Sequence, residues 1–76
     1  MQTATDHPTA DQLNAHLAGG GTVTVATYGR ATVYRPKHAG MFTQGIDGNL
    51  YVARGRFRDC LTIDRGRRLL VAVRLS

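Results

Sequence analysis

The chain has no glutamate and no tryptophan, and among its 76 residues it carries one lysine (Lys37), one cysteine (Cys60), one serine (Ser76) and two prolines. Each shortage excludes something. A lone cysteine forms no intramolecular disulfide, so the fold must rest on its apolar core, and such cysteine usage suits a reducing compartment. With Ser76 as the only serine, no serine nucleophile is expected, and the scattered aspartates, unaided by glutamate, offer no paired carboxylates for acid–base hydrolysis. The longest uncharged run, Gln12 to Gly29, is broken by Asn14, His16 and Gly19-Gly20-Gly21, well short of the ~20 continuous apolar residues of a membrane span. The opening stretch lacks a basic segment followed by an apolar one, so residues 1–8 read as a polar arm ahead of a single domain at 9–76, and a cytoplasmic location is expected. A chain this short buries only about 60% of its unfolded surface, which argues against an enclosed cofactor cavity; no cofactor or metal is expected.

What is abundant is arginine. Nine of the ten basic residues are arginines, and the formal net charge is +5. The charge is uneven: residues 1–29 carry −2 and residues 30–76 carry +7. An anionic partner should therefore meet the later part of the chain, and arginine is the side chain suited to bidentate anion recognition.

Thr9-Ala10-Asp11-Gln12 has the pattern of a capping box, Leu13 and Leu17 stand four apart, and the three glycines give a left-handed exit. A helix over about residues 10–18 follows, too short to stand without packing. From Thr22 onward the apolar period falls to two, as in antiparallel strands. Strands are expected at Val23–Tyr28 and Ala31–Arg35, turning at Gly29-Arg30, then at Met41–Gln44, Asn49–Ala53, Phe57–Ile63 and Leu69–Leu75, with a loop or single helical turn at Pro36–Gly40. The fold class is α+β, a short N-terminal helix on an antiparallel meander of four to six strands, either an open sheet or a small curled barrel.

Parity aligns the last three strands. Leu50 and Val52, then Phe57, Leu61 and Ile63, then Leu69, Val71, Val73 and Leu75 define an apolar face, since a one-residue slip would expose them all. With Val52 opposite Phe57 and Ile63 opposite Leu69, Tyr51, Arg58 and Arg74 form one outer row, and Arg54 and Arg56 join it from the adjoining turn. Arg65, Arg67 and Arg68 lie in the next loop, ~23 Å of strand away. These eight residues are the candidate binding surface, a basic track with an aromatic platform on which a nucleic-acid strand can stack. Asp59 is the discordant residue, because parity sends a carboxylate inward and implies either a sheet rim or a bulge.

Other constellations are weaker. Cys60 with His38 would be a nucleophile and base only if both shared a cleft and the thiol pKa fell, whereas parity sets Cys60 outward beside Arg58. His7, His16, His38 and Cys60 lack zinc-site spacing. The glycine triplet follows a helix instead of preceding one, the wrong polarity for a phosphate cradle. Arg54-Gly55-Arg56 lacks the following proline of a minor-groove hook.

Thr27-Tyr28-Gly29-Arg30, Lys37-His38-Ala39-Gly40-Met41-Phe42, Gly48-Asn49-Leu50-Tyr51-Val52 and Arg68-Leu69-Leu70-Val71-Ala72-Val73-Arg74 resemble small uncharacterised proteins of phages and prophages of GC-rich bacteria. That group includes anti-CRISPR-type inhibitors, and the resemblance covers about residues 11–75. It implies a protein of the bacterial host cytoplasm that acts by binding, and it supplies no catalytic residues. The expectation is a non-enzymatic basic protein engaging nucleic acid or a nucleoprotein complex through its arginine face. The alternative is an anti-defence inhibitor docking on an acidic protein surface of a host complex, with Tyr34, Phe42 and Tyr51 among its contacts. Self-pairing of an exposed strand edge into a homodimer is the third possibility.

Overall fold

The computed structural model of the protein describes residues 8–27 and 29–76. Residues 1–7 of the expected arm, and Tyr28 at the end of the first expected strand, lie outside the described residues. Pro8, the last residue of that arm, is buried. The capping box forms as the sequence implies: the Gln12 amide donates to Thr9 Oγ1 at 3.1 Å and the Thr9 amide donates to Gln12 Oε1 at 2.9 Å. Helix α1 runs Ala10–Ala18 and ends as the Gly19 and Gly20 amides donate to the Ala15 and Leu17 carbonyls, with Gly20 at φ +99°. Leu13 and Leu17 are wholly buried, worth about 1.5–3 kcal/mol each, and the cap adds ~1 kcal/mol. Together these offset the cost of nucleating so short a helix.

Among the described residues eight strands follow, β1 (Val23–Thr27), β2 (Arg30–Tyr34), β3 (Phe42–Gln44), β4 (Leu50–Arg54), β5 (Phe57–Cys60), β6 (Thr62–Ile63), β7 (Arg68–Leu69) and β8 (Ala72–Leu75), with a 3-10 turn at Pro36–His38. All pairings are antiparallel. The first sheet has the order β2-β1-β8, the second β3-β4-β5, and β6-β7 is a separate hairpin. Ala10, Leu13 and Leu17 of the helix meet Val23 and Val25 of the first sheet, Phe42, Leu50 and Val52 of the second, and Leu61 between β5 and β6 in one apolar cluster.

This is the expected α+β class with the helix on antiparallel sheet, and the sheets do not close into a barrel among the described residues. The strand count exceeds the expected four to six because two long strands are broken. The Phe57–Ile63 segment bends at Leu61, where Leu61 still donates to the Leu50 carbonyl at 2.8 Å but the Thr62 side chain turns inward and its Oγ1 accepts the Leu50 amide at 2.7 Å. The Leu69–Leu75 segment breaks at Leu70-Val71, so β7 stays with β6 while β8 crosses to β1. The first hairpin also closes one residue earlier than expected, with Thr27 opposite Arg30, which makes Arg30 the first residue of β2.

Candidate nucleic-acid interface

The β4–β5 hairpin is tighter than the sequence suggests. Arg54 pairs with Phe57 across Gly55-Arg56, and Gly55 at φ +59° supplies the positive-φ first position of a two-residue turn. Relative to the expected alignment the register moves by two residues, which changes every partner and preserves every face. Val52 therefore lies opposite Asp59, Ala53 opposite Arg58 and Tyr51 opposite Cys60. Leu50, Val52, Arg54 and Asp59 share the inner side; Tyr51, Ala53, Arg58 and Cys60 share the outer.

The expected row of Tyr51, Arg58 and Arg74 is thus half right. Arg58 reaches Tyr51 along the diagonal, its guanidinium carbon 5.4 Å from the ring centroid, which is cation–π range. Arg74 is elsewhere: it lies opposite Thr24 on the other sheet. Arg54 also leaves the group, because it projects to the inner side and its Nε lies 3.0 Å from Asp59 Oδ2. This pair explains the inward carboxylate. Asp59 sits at the sheet rim, not in a bulge, and neutralises a cation there; with side chains 73% and 44% exposed the pair is worth at most about 1 kcal/mol. Phe57, expected on the apolar face, has run past the core and is 70% exposed. Leu75 is likewise 40% exposed.

The second arginine group does not lie at the far end of a straight strand. The bend at Leu61 carries the Asp64–Arg67 loop back against the β3–β4 turn, where the Gly66 amide donates to Asn49 Oδ1 at 2.8 Å. A Cβ on Gly66 would stand 2.7 Å from the Gly48 carbonyl oxygen, so the approach requires glycine. The group therefore sits at one end of β4 and Arg56 at the other, ~13 Å of strand apart. Asp64 and Arg65 both have left-handed backbone, φ 57° and 61°, a conformation costing a non-glycine residue on the order of 1 kcal/mol or more. Arg68 bonds Asp64 Oδ2 at 3.2 Å within the hairpin. Ile63 lies opposite Arg68, not Leu69, because the bend shifts the register by one.

Two surface depressions lie along this side of the second sheet. One is lined by Gln44, Gly45, Tyr51 and Arg58, the other by Gly48, Asn49, Asp64 and Arg65, and both include Ile46 and Asp47. The two depressions adjoin at Ile46 and Asp47, the first holding Tyr51 and Arg58 and the second Arg65, with Ile46 fully exposed at their shared wall. Among the described residues, Arg56, Arg58, Arg65 and Arg67 have no carboxylate within salt-bridge distance.

Asp47 is the site residue that sequence reasoning missed. Its Oδ2 accepts the Tyr51 hydroxyl at 2.6 Å and its Oδ1 accepts the Asn49 amide at 3.0 Å. The signal available was an Asp-Gly turn with a tyrosine four residues after the aspartate. The hydrogen bond from Tyr51 holds the Asp47 carboxyl below its ordinary value, and the same bond pushes the Tyr51 phenol up to about 12. Both shifts report one interaction. Loss of the phenolic proton breaks it from above and protonation of the carboxylate breaks it from below, so its contribution to stability is present between the ordinary carboxylate and phenol ranges and lost outside them. Asp47→Asn should return the Tyr51 titration toward the ordinary 10.0, read from the Tyr51 Cζ chemical shift against pH; an unchanged titration would remove Asp47 as the cause.

A cleft of about 350 Å³ opens between the two sheets, walled by Val25, Val52, Leu61 and Leu70, with Tyr34, Arg54 and Asp59 at its polar side. Burial raises the Tyr34 pKa, Asp59 adding to the effect and Arg54 opposing it. The Cys60–His38 pairing considered from sequence finds both groups engaged elsewhere: the thiol donates to the Thr62 carbonyl at 2.6 Å and His38 Nδ1 accepts the Arg35 amide at 2.9 Å. Among the described residues no helix is long and apolar enough to cross a membrane. No protein-family model, no curated protein and no solved structure matches the chain.

Proposed function

We propose that the chain is a non-enzymatic binding protein that holds a nucleic-acid strand on the outer face of its second sheet, free or within a nucleoprotein complex. The observation that carries this reading is the pair of adjoining depressions, one holding Tyr51 and Arg58 and the other Arg65, whose arginines have no carboxylate partner among the described residues. Arg58 lies over the Tyr51 ring, where a base would stack in its place and free the guanidinium for phosphate, and Arg56, Arg65 and Arg67 flank the ring at phosphate-tracking positions. Asp47 opposes this charge locally, and its bond to Tyr51 fixes the ring. The resemblance to phage and prophage proteins is consistent with a target in a bacterial host complex.

The test is an equilibrium titration with labelled random single strands and duplexes of DNA and RNA across salt. Four arginine–phosphate contacts on a single strand give a log–log salt slope of about −3, or ~50-fold weaker binding between 50 and 200 mM salt. Arg56→Glu with Arg58→Glu should lower affinity at least about tenfold and halve the slope. Arg74→Glu, on the other sheet, alters net charge without touching either depression and should change far less. Absence of binding at 50 mM salt, or equal effects of the three substitutions, would contradict the proposal; binding to an acidic protein surface in its place would then be sought by pull-down.

A further inference from the structure

We propose that β2 is a dimerisation edge, by which two copies of this chain pair β2 against β2, antiparallel, about a two-fold axis at Thr32. The result is one continuous six-stranded sheet. The inference stands apart from the nucleic-acid reading, since the Tyr51–Arg58 face belongs to the other sheet.

The direction of the main-chain groups follows from one pair. Thr22 and Ser76 exchange both hydrogen bonds, at 3.0 and 2.9 Å, so even-numbered residues of β1 bond toward β8 and the odd-numbered Val23, Val25 and Thr27 bond toward β2. Their partners Tyr34, Thr32 and Arg30 are therefore satisfied within the sheet. The N–H and C=O groups of Ala31 and Val33 point away from β1, and nothing among the described residues bonds them. The open row ends there: the Arg35 amide donates to His38 Nδ1 at 2.9 Å and the Arg35 carbonyl accepts the His38 amide at 2.7 Å. Two residues flanking Thr32 thus offer two donors and two acceptors, and an antiparallel copy centred on Thr32 satisfies all of them, Ala31 bonding the second copy's Val33 and the reverse.

The other edges of the two three-stranded sheets do not fit a second copy. The edge of β3 is already closed by the helix, since Asn14 Oδ1 accepts the Phe42 amide at 3.2 Å and Asn14 Nδ2 donates to the Phe42 carbonyl at 2.9 Å. On β5 the Leu61–Leu50 bond leaves Arg58 and Cys60 as the open residues, and self-pairing would centre on Asp59 and oppose two carboxylates. On β8 the open residues are Val73 and Leu75, and self-pairing would centre on Arg74 and oppose two guanidinium groups. Like charges directly opposite destabilise a strand pair, whereas Thr opposite Thr favours it. Of the four edges of the two three-stranded sheets among the described residues, β2 has the neutral, open centre. In its register Arg30 faces the second copy's Tyr34, so no like charges are opposed, and the solvent-facing side carries Ala31 and Val33, the latter 44% exposed.

Sedimentation equilibrium from micromolar to millimolar concentration, with amide hydrogen exchange at both limits, tests this. The wild-type chain should reach twice the monomer mass, and the Ala31 and Val33 amides should exchange freely when dilute and become protected when concentrated. Thr32→Glu alone and Thr32→Lys alone should each weaken dimerisation at least about fivefold, and an equimolar mixture should recover it, because the axis then sets Glu against Lys. Val33→Pro removes a donor that only the second copy uses and should give a folded monomer, with circular dichroism checking the fold. A monomer at every concentration, a dimer indifferent to Thr32, or no recovery in the mixture would each overturn the proposal.

Discussion

Phe42→Ala should lower the unfolding free energy by about 3–5 kcal/mol, the cost of truncating a buried aromatic and leaving a cavity. Phe42 is 1% exposed and lies where every layer meets. Its ring stands edge-on to Tyr34 with centroids 5.2 Å apart, and it shares the core with Leu13 and Leu17 of α1 and Leu50 and Val52 of β4. At roughly 0.05–0.15 kcal/mol per residue a chain of this length has on the order of 4–11 kcal/mol in total. The substitution therefore removes about a quarter or more of the whole. Urea unfolding followed by circular dichroism measures it, with the midpoint falling steeply; a loss below 1 kcal/mol would mean that the helix and the second sheet do not meet at Phe42.

Asn14→Ala should cost about 2 kcal/mol although the residue is polar and only half-buried. Its amide works as a piece of strand: Oδ1 accepts the Gly40 amide at 2.9 Å as well as the Phe42 amide, and Nδ2 returns a bond to the Phe42 carbonyl. Alanine leaves those partly buried groups without partners and reopens the β3 edge. Asn14→Asp separates the two roles, because a carboxylate keeps the two acceptor bonds and confronts the Phe42 carbonyl with a second acceptor. It should fall between wild type and alanine in the same unfolding experiment. A loss within 0.5 kcal/mol for alanine would show that the helix-to-edge lock is dispensable.

What the sequence reveals here is local chemistry. Thr9 and Gln12, Leu13 and Leu17, and the glycines after the helix act within a few residues of one another, so α1 is legible to its ends. Strand faces are legible for the same reason: alternation is a property of one strand, and Tyr51 and Arg58 share an outer face whichever two-residue slip the hairpin adopts. Partners are not, because they depend on the length of the turn. Gly55-Arg56 closes with two residues where four were allowed, and that alone moves Arg54 from the arginine row to an ion pair with Asp59. The loss of Arg74 has a longer-range cause. The breaks at Leu61 and Leu70-Val71 arise where a strand changes neighbours, satisfied by Thr62 Oγ1 and by the Leu70 amide donating to the Leu61 carbonyl, and no periodicity announces such a change. Conversely the bend brings Arg65 nearer to Tyr51 than a straight strand would.

The proposed nucleic-acid surface is the outer face of β3-β4-β5, with Arg58 over Tyr51. The most direct measurement is a map of amide and arginine side-chain NMR shifts as an unlabelled single-stranded oligonucleotide is added to the labelled protein at low salt. Perturbations concentrated at Tyr51, Arg56, Arg58 and the Asp64–Arg67 loop, with the Tyr51 ring moving upfield as a base stacks on it, are the predicted result. Shifts confined to Arg30, Arg35 and Arg74 on the other sheet, or no shifts at saturating oligonucleotide, would contradict it.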